Sequence, residues 1–219
     1  MKEFKKDNMT LYNADCMEIM KQYEDNYFDL TVVDPPYGIA RFGSRVEDRS
    51  SRIIDSKINK WDIAPSPEYF IELFRVSKNQ IIWGANNFTL PKTEYFCIWD
   101  KEQTVDNFAT AEYAWISGGI GKPAKIFRYS IHKTMSDRKA EGGKIHPTQK
   151  PVKLYNWLYN NYAEEGQKIL DTHLGSGSNA ISAHYKKMGE FVGCELDEDY
   201  FKLSVERIER ETSQLEFNF

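Results

Sequence analysis

From residue 169 to residue 195 the chain reads as an apolar strand, a glycine-rich turn, a helix and a second strand that closes on an acid. The segment is Ile169-Leu170-Asp171-Thr172-His173-Leu174-Gly175-Ser176-Gly177-Ser178-Asn179-Ala180, then a helical stretch to Met188, a strand over 190–194, and Glu195. Such a βαβ unit calls for a mostly parallel sheet, because parallel neighbours need a crossover long enough to hold a helix. Gly175 and Gly177 let the backbone pass close to a ligand, and a carboxylate after the second strand suits the two hydroxyls of a ribose. The spacing Gly175-x-Gly177-x-x-Ala180 also matches the dinucleotide fingerprint, so on this motif alone a nicotinamide dehydrogenase competes.

A second motif lies upstream. Asp34-Pro35-Pro36-Tyr37 follows the apolar run 28–33, where a buried strand ends. The prolines fix φ and keep the preceding residue extended, so an acid and an aromatic ring are presented on a stiff turn at a strand mouth. Ligands of open α/β sheets bind outside such strand ends. The amino group of a nucleobase is a poor nucleophile because its lone pair is delocalised into the ring. A carboxylate at Asp34 and the carbonyl of Pro35 are suited to accept its two hydrogens, with Tyr37 stacked on the base. A strand, a Pro-Pro turn and a surface tyrosine would show the same letters, and a dehydrogenase gives the tetrapeptide no task.

Together and in this order, the two motifs resemble the amino-methylating DNA methyltransferases of the β group, in which a DPPY motif precedes the glycine-rich cofactor loop. The resemblance covers nearly the whole chain. Asn13-Ala14-Asp15-Cys16 resembles the segment whose acid holds the cofactor adenine, and His146-Pro147-Thr148-Gln149-Lys150-Pro151 is similar to the start of the cofactor-binding region. Thr172 and His173 stand where the family usually has Pro and Phe, and Ser178 where it has Thr. His173 either replaces the aromatic wall as a neutral ring or titrates near neutral pH and makes cofactor affinity pH-dependent.

The resemblance implies an α/β, Rossmann-like S-adenosylmethionine-dependent fold, with a mostly parallel seven-stranded sheet flanked by helices in a single domain over 1–219. It implies S-adenosyl-L-methionine as cofactor, with Asp15 at its adenine and Glu195 at its ribose. Asp171, His173, Ser178 and the backbone from Gly175 to Gly177 would surround the methionine part, and Thr148 and Lys150 its carboxylate. Asp34, Pro35, Pro36 and Tyr37 would carry catalysis on a base rotated out of double-stranded DNA. Asp34 favours adenine, since cytosine-N4 enzymes of this type more often have Ser there. Cytosine-N4 and RNA methylation stay open, as does a non-catalytic DNA-binding role, although that would leave the cofactor motifs unexplained.

The net charge of −4 over 219 residues is unusual for a DNA partner, but charge distribution matters more than the sum. Arg41, Arg45, Arg49, Arg52, Lys57 and Lys60 cluster in one basic recognition loop, at about 38–60. Lys122, Lys125, Arg128, Lys133, Arg138, Lys139 and Lys144 cluster in a second, at about 118–145. Basic loops neutralise phosphates and leave base reading to other groups. Trp61, Trp83, Asn86, Asn87 and Phe88 are candidates to surround a flipped base, with Trp83 and Phe88 better suited to the core. The chain lacks an apolar signal core and any apolar stretch of membrane-spanning length, which points to a cytoplasmic protein, and the resemblance implies a bacterial or phage origin. Cys16, Cys97 and Cys194 read as reduced thiols, and the scattered histidines imply no metal. The tail over 214–219 resembles peptides that dock on bacterial sliding clamps, and homodimers are common in the resembling family.

Periodicity and composition predict strands over 11–14, 28–33, 80–83, 95–99, 112–116 and 125–129, besides those of the βαβ unit. Helices are predicted over 17–23, 67–75, 151–162 and 199–211.

Overall fold

Runs such as Val32-Val33, Ile81-Ile82, Ile169-Leu170 and Phe191-Val192 put consecutive apolar side chains on opposite faces of a strand, a pattern suited to a sheet covered on both sides. The computed structural model, which describes residues 2–38, 62–104, 106, 109–140 and 143–213, has these pairs at 0–1% exposure, divided between two core clusters. The strands are β1 (Lys2–Lys6), β2 (Met9–Asn13), β3 (Phe28–Val33), β4 (Ser77–Trp83), β5 (Phe96–Asp100), β6 (Ala111–Ile116), β7 (Lys125–Arg128), β8 (Lys168–Asp171) and β9 (Glu190–Glu195). They form one sheet in the order β1-β2-β9-β8-β3-β4-β6-β5-β7. From β2 to β4 all neighbours are parallel, while β1, β6 and β5 add antiparallel pairs and β7 lies parallel to β5 at the far edge.

The helices are α1 (Cys16–Met20), α2 (Pro67–Val76), α3 (Ile131–Ala140), α4 (Val152–Tyr162), α5 (Ser178–Tyr185) and α6 (Glu198–Thr212). Pro67 opens α2 at a position where its missing N–H costs nothing, and Tyr69, Phe70, Leu73 and Val76 form its buried stripe. Leu154, Tyr155, Leu158, Tyr159 and Tyr162 do the same for α4. The Asp197 carboxylate caps α6 by accepting from the Asp199 and Tyr200 N–H groups at 2.9 and 3.0 Å. No described helix is long and apolar enough to cross a membrane. Cys97 and Cys194 are buried in strands, while Cys16 is half-buried at the start of α1.

Two expectations need correction. The sheet has nine strands rather than seven, because the N-terminal Lys2–Lys6 pairs with β2 as a hairpin and Lys125–Arg128 extends the opposite edge. The segment at 118–145 is not chiefly loop, since it contains β7 and α3. Trp83 is fully buried in the core, the place to which it is better suited. The basic positions from Arg41 to Lys60, Trp61 and the tail over 214–219 lie outside the described residues.

The β8–α5–β9 crossover closes tightly at Gly189, where an added Cβ would stand 2.1 Å from the Gly166 carbonyl oxygen. The obstacle is backbone, so it cannot rotate aside. Gly189→Ala is expected to cost about 1–3 kcal/mol, read as a lower urea midpoint; an unchanged midpoint would show that this junction yields freely.

Candidate active site

The chain leaves β3 toward β4 on one side and leaves β8 toward β9 on the other, so the strand order reverses between two adjacent parallel strands. Such a reversal opens a crevice at the carboxyl ends of the strands. The register Leu30↔Ile169 and Thr31↔Leu170 brings the two sequence motifs, Asp34 to Tyr37 and Asp171 to Ser178, to the same end of neighbouring strands. Asn179 joins them, donating from Nδ2 to the Val32 carbonyl at 3.0 Å and to Asp171 Oδ2 at 2.9 Å. Asp15 follows β2 and Glu195 ends β9, so both acids share this edge.

Asp34 is held from both sides. Its Oδ1 accepts from the Tyr37 hydroxyl at 2.7 Å, and its Oδ2 pairs with the Lys150 ammonium. Lys150 also stands 3.1 Å from Glu112 Oε2, and Glu112 Oε1 is 2.6 Å from Lys101. Four alternating charges thus run inward from the sheet's antiparallel half, with only 4% of the Lys150 side chain exposed. Burial opposes the Glu112 charge, but Lys150 and Lys101 outweigh it and hold the carboxyl down at about 2. Burial also opposes the Lys150 cation, and the carboxylates of Asp34 and Glu112 prevail, keeping it well above the ordinary lysine value. Burial raises Asp34 above the usual carboxylate value against the pull of Lys150.

The glycine turn is shaped differently at its two glycines. Gly175 has φ 53°, and its N–H donates to Glu195 Oε2 at 2.9 Å. At Gly177, with φ 74°, an added Cβ would meet Ile208 Cδ1 at 2.7 Å, so this glycine serves packing against α6. Arg207 of α6, 1% exposed, donates from Nη1 to the Ser176 carbonyl at 2.7 Å and to Ser178 Oγ at 2.9 Å. Glu195 Oε1 accepts from the Asp197 N–H at 3.0 Å. Burial raises Glu195 to about 7 despite these two amides. It raises Asp171 to about 7 as well, against hydrogen bonds from Asn179 and the His173 N–H. Two acids short of ionic partners beside a positive-φ turn fit a neutral, hydroxyl-bearing ligand such as a nucleoside.

His173 does not titrate near neutral pH. Burial lowers its imidazole to about 4, and Nδ1 lies 2.9 Å from Thr172 Oγ1, which is 2.6 Å from the Tyr69 hydroxyl. The ring stands edge-on to Tyr69, with centroids 5.5 Å apart. Asp15 caps α1, its Oδ1 accepting from the Met17 N–H at 2.8 Å. Thr148 is exposed, with its Oγ1 3.1 Å from His146 Nδ1. Two further residues of the expected cofactor set are engaged within the protein. The Ser178 hydroxyl is buried and bonded to the Lys150 carbonyl at 2.8 Å, and the Lys150 ammonium faces Asp34 and Glu112 rather than the glycine turn. Asn87 donates from Nδ2 to the Gly84 carbonyl at 2.9 Å and so closes its own turn, while Asn86 is exposed. Sequence reasoning missed Glu112, Lys101, Asn179 and Arg207. Only Asn179, placed one residue after Ser178 on the motif helix, carried a local signal.

A DNA methylase family model matches residues 122–206. The type II methyltransferase M2.DpnII of Streptococcus pneumoniae is 23% identical, over 95% of this chain and 92% of its own length. M2.MboI of Moraxella bovis is 25% identical, over 97% and 92%. Both comparisons make the chain similar to DNA-methylating enzymes. Solved structures of DNA methyltransferases share the fold of this chain. M1.HpyAVI, in complex with SAM, has a TM-score of 0.54 at 17% identity, covering 91% of this chain and 98% of that one. The cytosine-N4-specific PvuII DNA methyltransferase has a TM-score of 0.59 at 13% identity, covering 94% and 90%.

The Tyr37 ring rests on the turn after β4. Gly84 has φ 65°, and an added Cβ there would stand 2.0 Å from Tyr37 Cε1. Gly84→Ala is therefore expected to push the ring away and break its bond to Asp34. A structure of the variant should put the two oxygens beyond about 3.5 Å; an unmoved Tyr37 would refute the packing argument.

Proposed function

We propose that the protein transfers a methyl group from S-adenosyl-L-methionine to the exocyclic amino nitrogen of a flipped adenine in double-stranded DNA. The observation that carries this reading is the junction of an acid–Pro–Pro–Tyr turn with an acid-flanked glycine turn at one strand reversal. Glu195 suits the ribose hydroxyls, Asp15 the cofactor adenine, and Asp171, His173 and the Gly175 backbone the methionine part. When bound, the cofactor supplies an electrophilic methyl group on sulfur. An amino group arriving at Asp34 Oδ1 displaces the Tyr37 hydroxyl, and the ring becomes free to stack on the base. Asp34 and the Pro35 carbonyl accept the two amino hydrogens, which localises the nitrogen lone pair. Asp34 then takes the proton that the nitrogen sheds as its bond to carbon forms. Holding the reactants in line supplies much of the rate. Adenine is favoured over cytosine by an aspartate rather than a serine at position 34.

The segment before β7 and the exposed faces of β7 and α3 carry Lys122, Arg128, Lys133 and Lys139, a set suited to phosphate contacts.

The deciding experiment incubates the protein with S-adenosylmethionine and unmethylated DNA and analyses the nucleosides. N6-methyladenine is expected, with a loss of about 100-fold or more in Asp34→Ala. N4-methylcytosine would overturn the choice of base, and no methylated base would overturn the reading.

Cofactor affinity should rise with pH and level off above about 7, the value to which burial raises Glu195. The sign follows from the ligand, since hydroxyl donors favour the ionised carboxylate and protonation below that pH removes acceptor capacity. Calorimetric titration across pH 5.5–8.5 checks it. Glu195→Gln should bind more weakly with a much flatter profile, and an undiminished slope would exclude Glu195 as its source.

A further inference from the structure

Asp34 must stay a strong hydrogen-bond acceptor although a buried cation touches it. A carboxylate closely paired with one ammonium in a low-dielectric site has its charge largely neutralised and accepts further hydrogen bonds weakly. Lys150 is not a simple partner of this kind. Its ammonium lies between Asp34 and Glu112, at 3.1 Å from Glu112 Oε2, and Glu112 is itself shared with Lys101 at 2.6 Å. The Glu112–Lys150 contact is a charge contact rather than an aligned hydrogen bond, because Oε2 finds no hydrogen-bond donor with suitable geometry. Glu112 sits on β6, on the antiparallel side of the sheet, and takes no part in either sequence motif.

We propose that Glu112 is a positioning residue for methyl transfer, which draws part of the Lys150 charge away from Asp34 and so keeps Asp34 Oδ1 a strong acceptor for the target amino group. The inference rests on the function proposed above and adds a residue to it. Lys101 opposes Glu112 from the outer end of the row and limits how far Lys150 is drawn off. The ionisable groups bearing on Asp34 are Lys150, Glu112, Tyr37, Tyr155 of α4 and Asp171 of β8. Glu112 and Lys101 can both be changed without touching the motif residues.

The two ends of the row act on Asp34 with opposite signs. Glu112→Gln keeps an oxygen for Lys150 but removes the negative charge, so Asp34 feels the whole ammonium and becomes the weaker base. Lys101→Met leaves the Glu112 charge undivided and makes Asp34 the stronger base. The experiment measures single-turnover methylation against pH with cofactor and DNA saturating, so that the Glu195 dependence of cofactor binding drops out. For Glu112→Gln the acid limb should move to lower pH by about half a unit or more, and the plateau rate should fall about tenfold. For Lys101→Met the limb should move to higher pH. Opposite shifts cannot arise from general loosening of the fold, which would lower both rates without moving the limbs apart. Limbs that stay at the wild-type position, or move together, overturn the role of Glu112. If Glu112→Gln fails to fold, Lys101→Met decides alone, and an unmoved limb overturns the proposal. Absence of methylation by the wild-type protein would instead sink the functional reading beneath it.

Discussion

The parallel pairing of β3 with β8 is the contact on which the site depends. Neither strand could carry the chemistry alone, since one ends in Asp34 and the other in Asp171. A slip of one residue would turn alternate side chains to the opposite face and part the two turns. Apolar residues on both faces fix the register, and Asn179 adds a polar check, because its amide reaches the Val32 carbonyl and Asp171 together only in this alignment. Tyr159 in turn donates to Asn179 Oδ1 from α4, so the junction is satisfied by hydrogen bonds from above as well as from the strands.

Around that junction the protein buries charge in two different ways. Near Asp34 the charges alternate in sign, and each is stabilised by its neighbours. Near the glycine turn, Asp171 and Glu195 receive hydrogen bonds but no cation, and burial lifts both toward neutrality. Lys150 and Lys101 keep the buried Glu112 ionised and Lys150 offsets part of the desolvation of Asp34, while an acid with hydrogen bonds alone waits for a ligand to restore its charge. The first arrangement suits the fixed acceptor of a reaction and the second a reversible binding site.

The features legible in the sequence were those whose cause is local. Asp-Pro-Pro-Tyr after an apolar run and Gly-Ser-Gly before a helix determine a turn from adjacent residues, so their places could be read directly. Strand β1 was missed because Lys-Glu-Phe-Lys-Lys is a charged edge strand, and only its pairing with β2 makes it one. Helix α3 was missed because its residues show no apolar stripe; it is held by Thr134 underneath and by Asp137, which meets Tyr129 and Lys153. The ion pairs of Lys150 were not read for a related reason. Its neighbours Glu112 and Lys101 are distant in sequence, and a long flexible side chain follows the nearest buried charge rather than the motif that contains it.

Helix α3 has a mechanical relation to the chemistry. Arg138, near its end, donates to the carbonyl of Gln149, the peptide group immediately before Lys150. The exposed lysines of the helix and the cation of the active site are therefore two ends of one short linkage through a single peptide. A polyanion that draws α3 outward would tug on the backbone from which Lys150 extends, and the grip on a nucleic-acid backbone and the posture of Asp34 become parts of one lever.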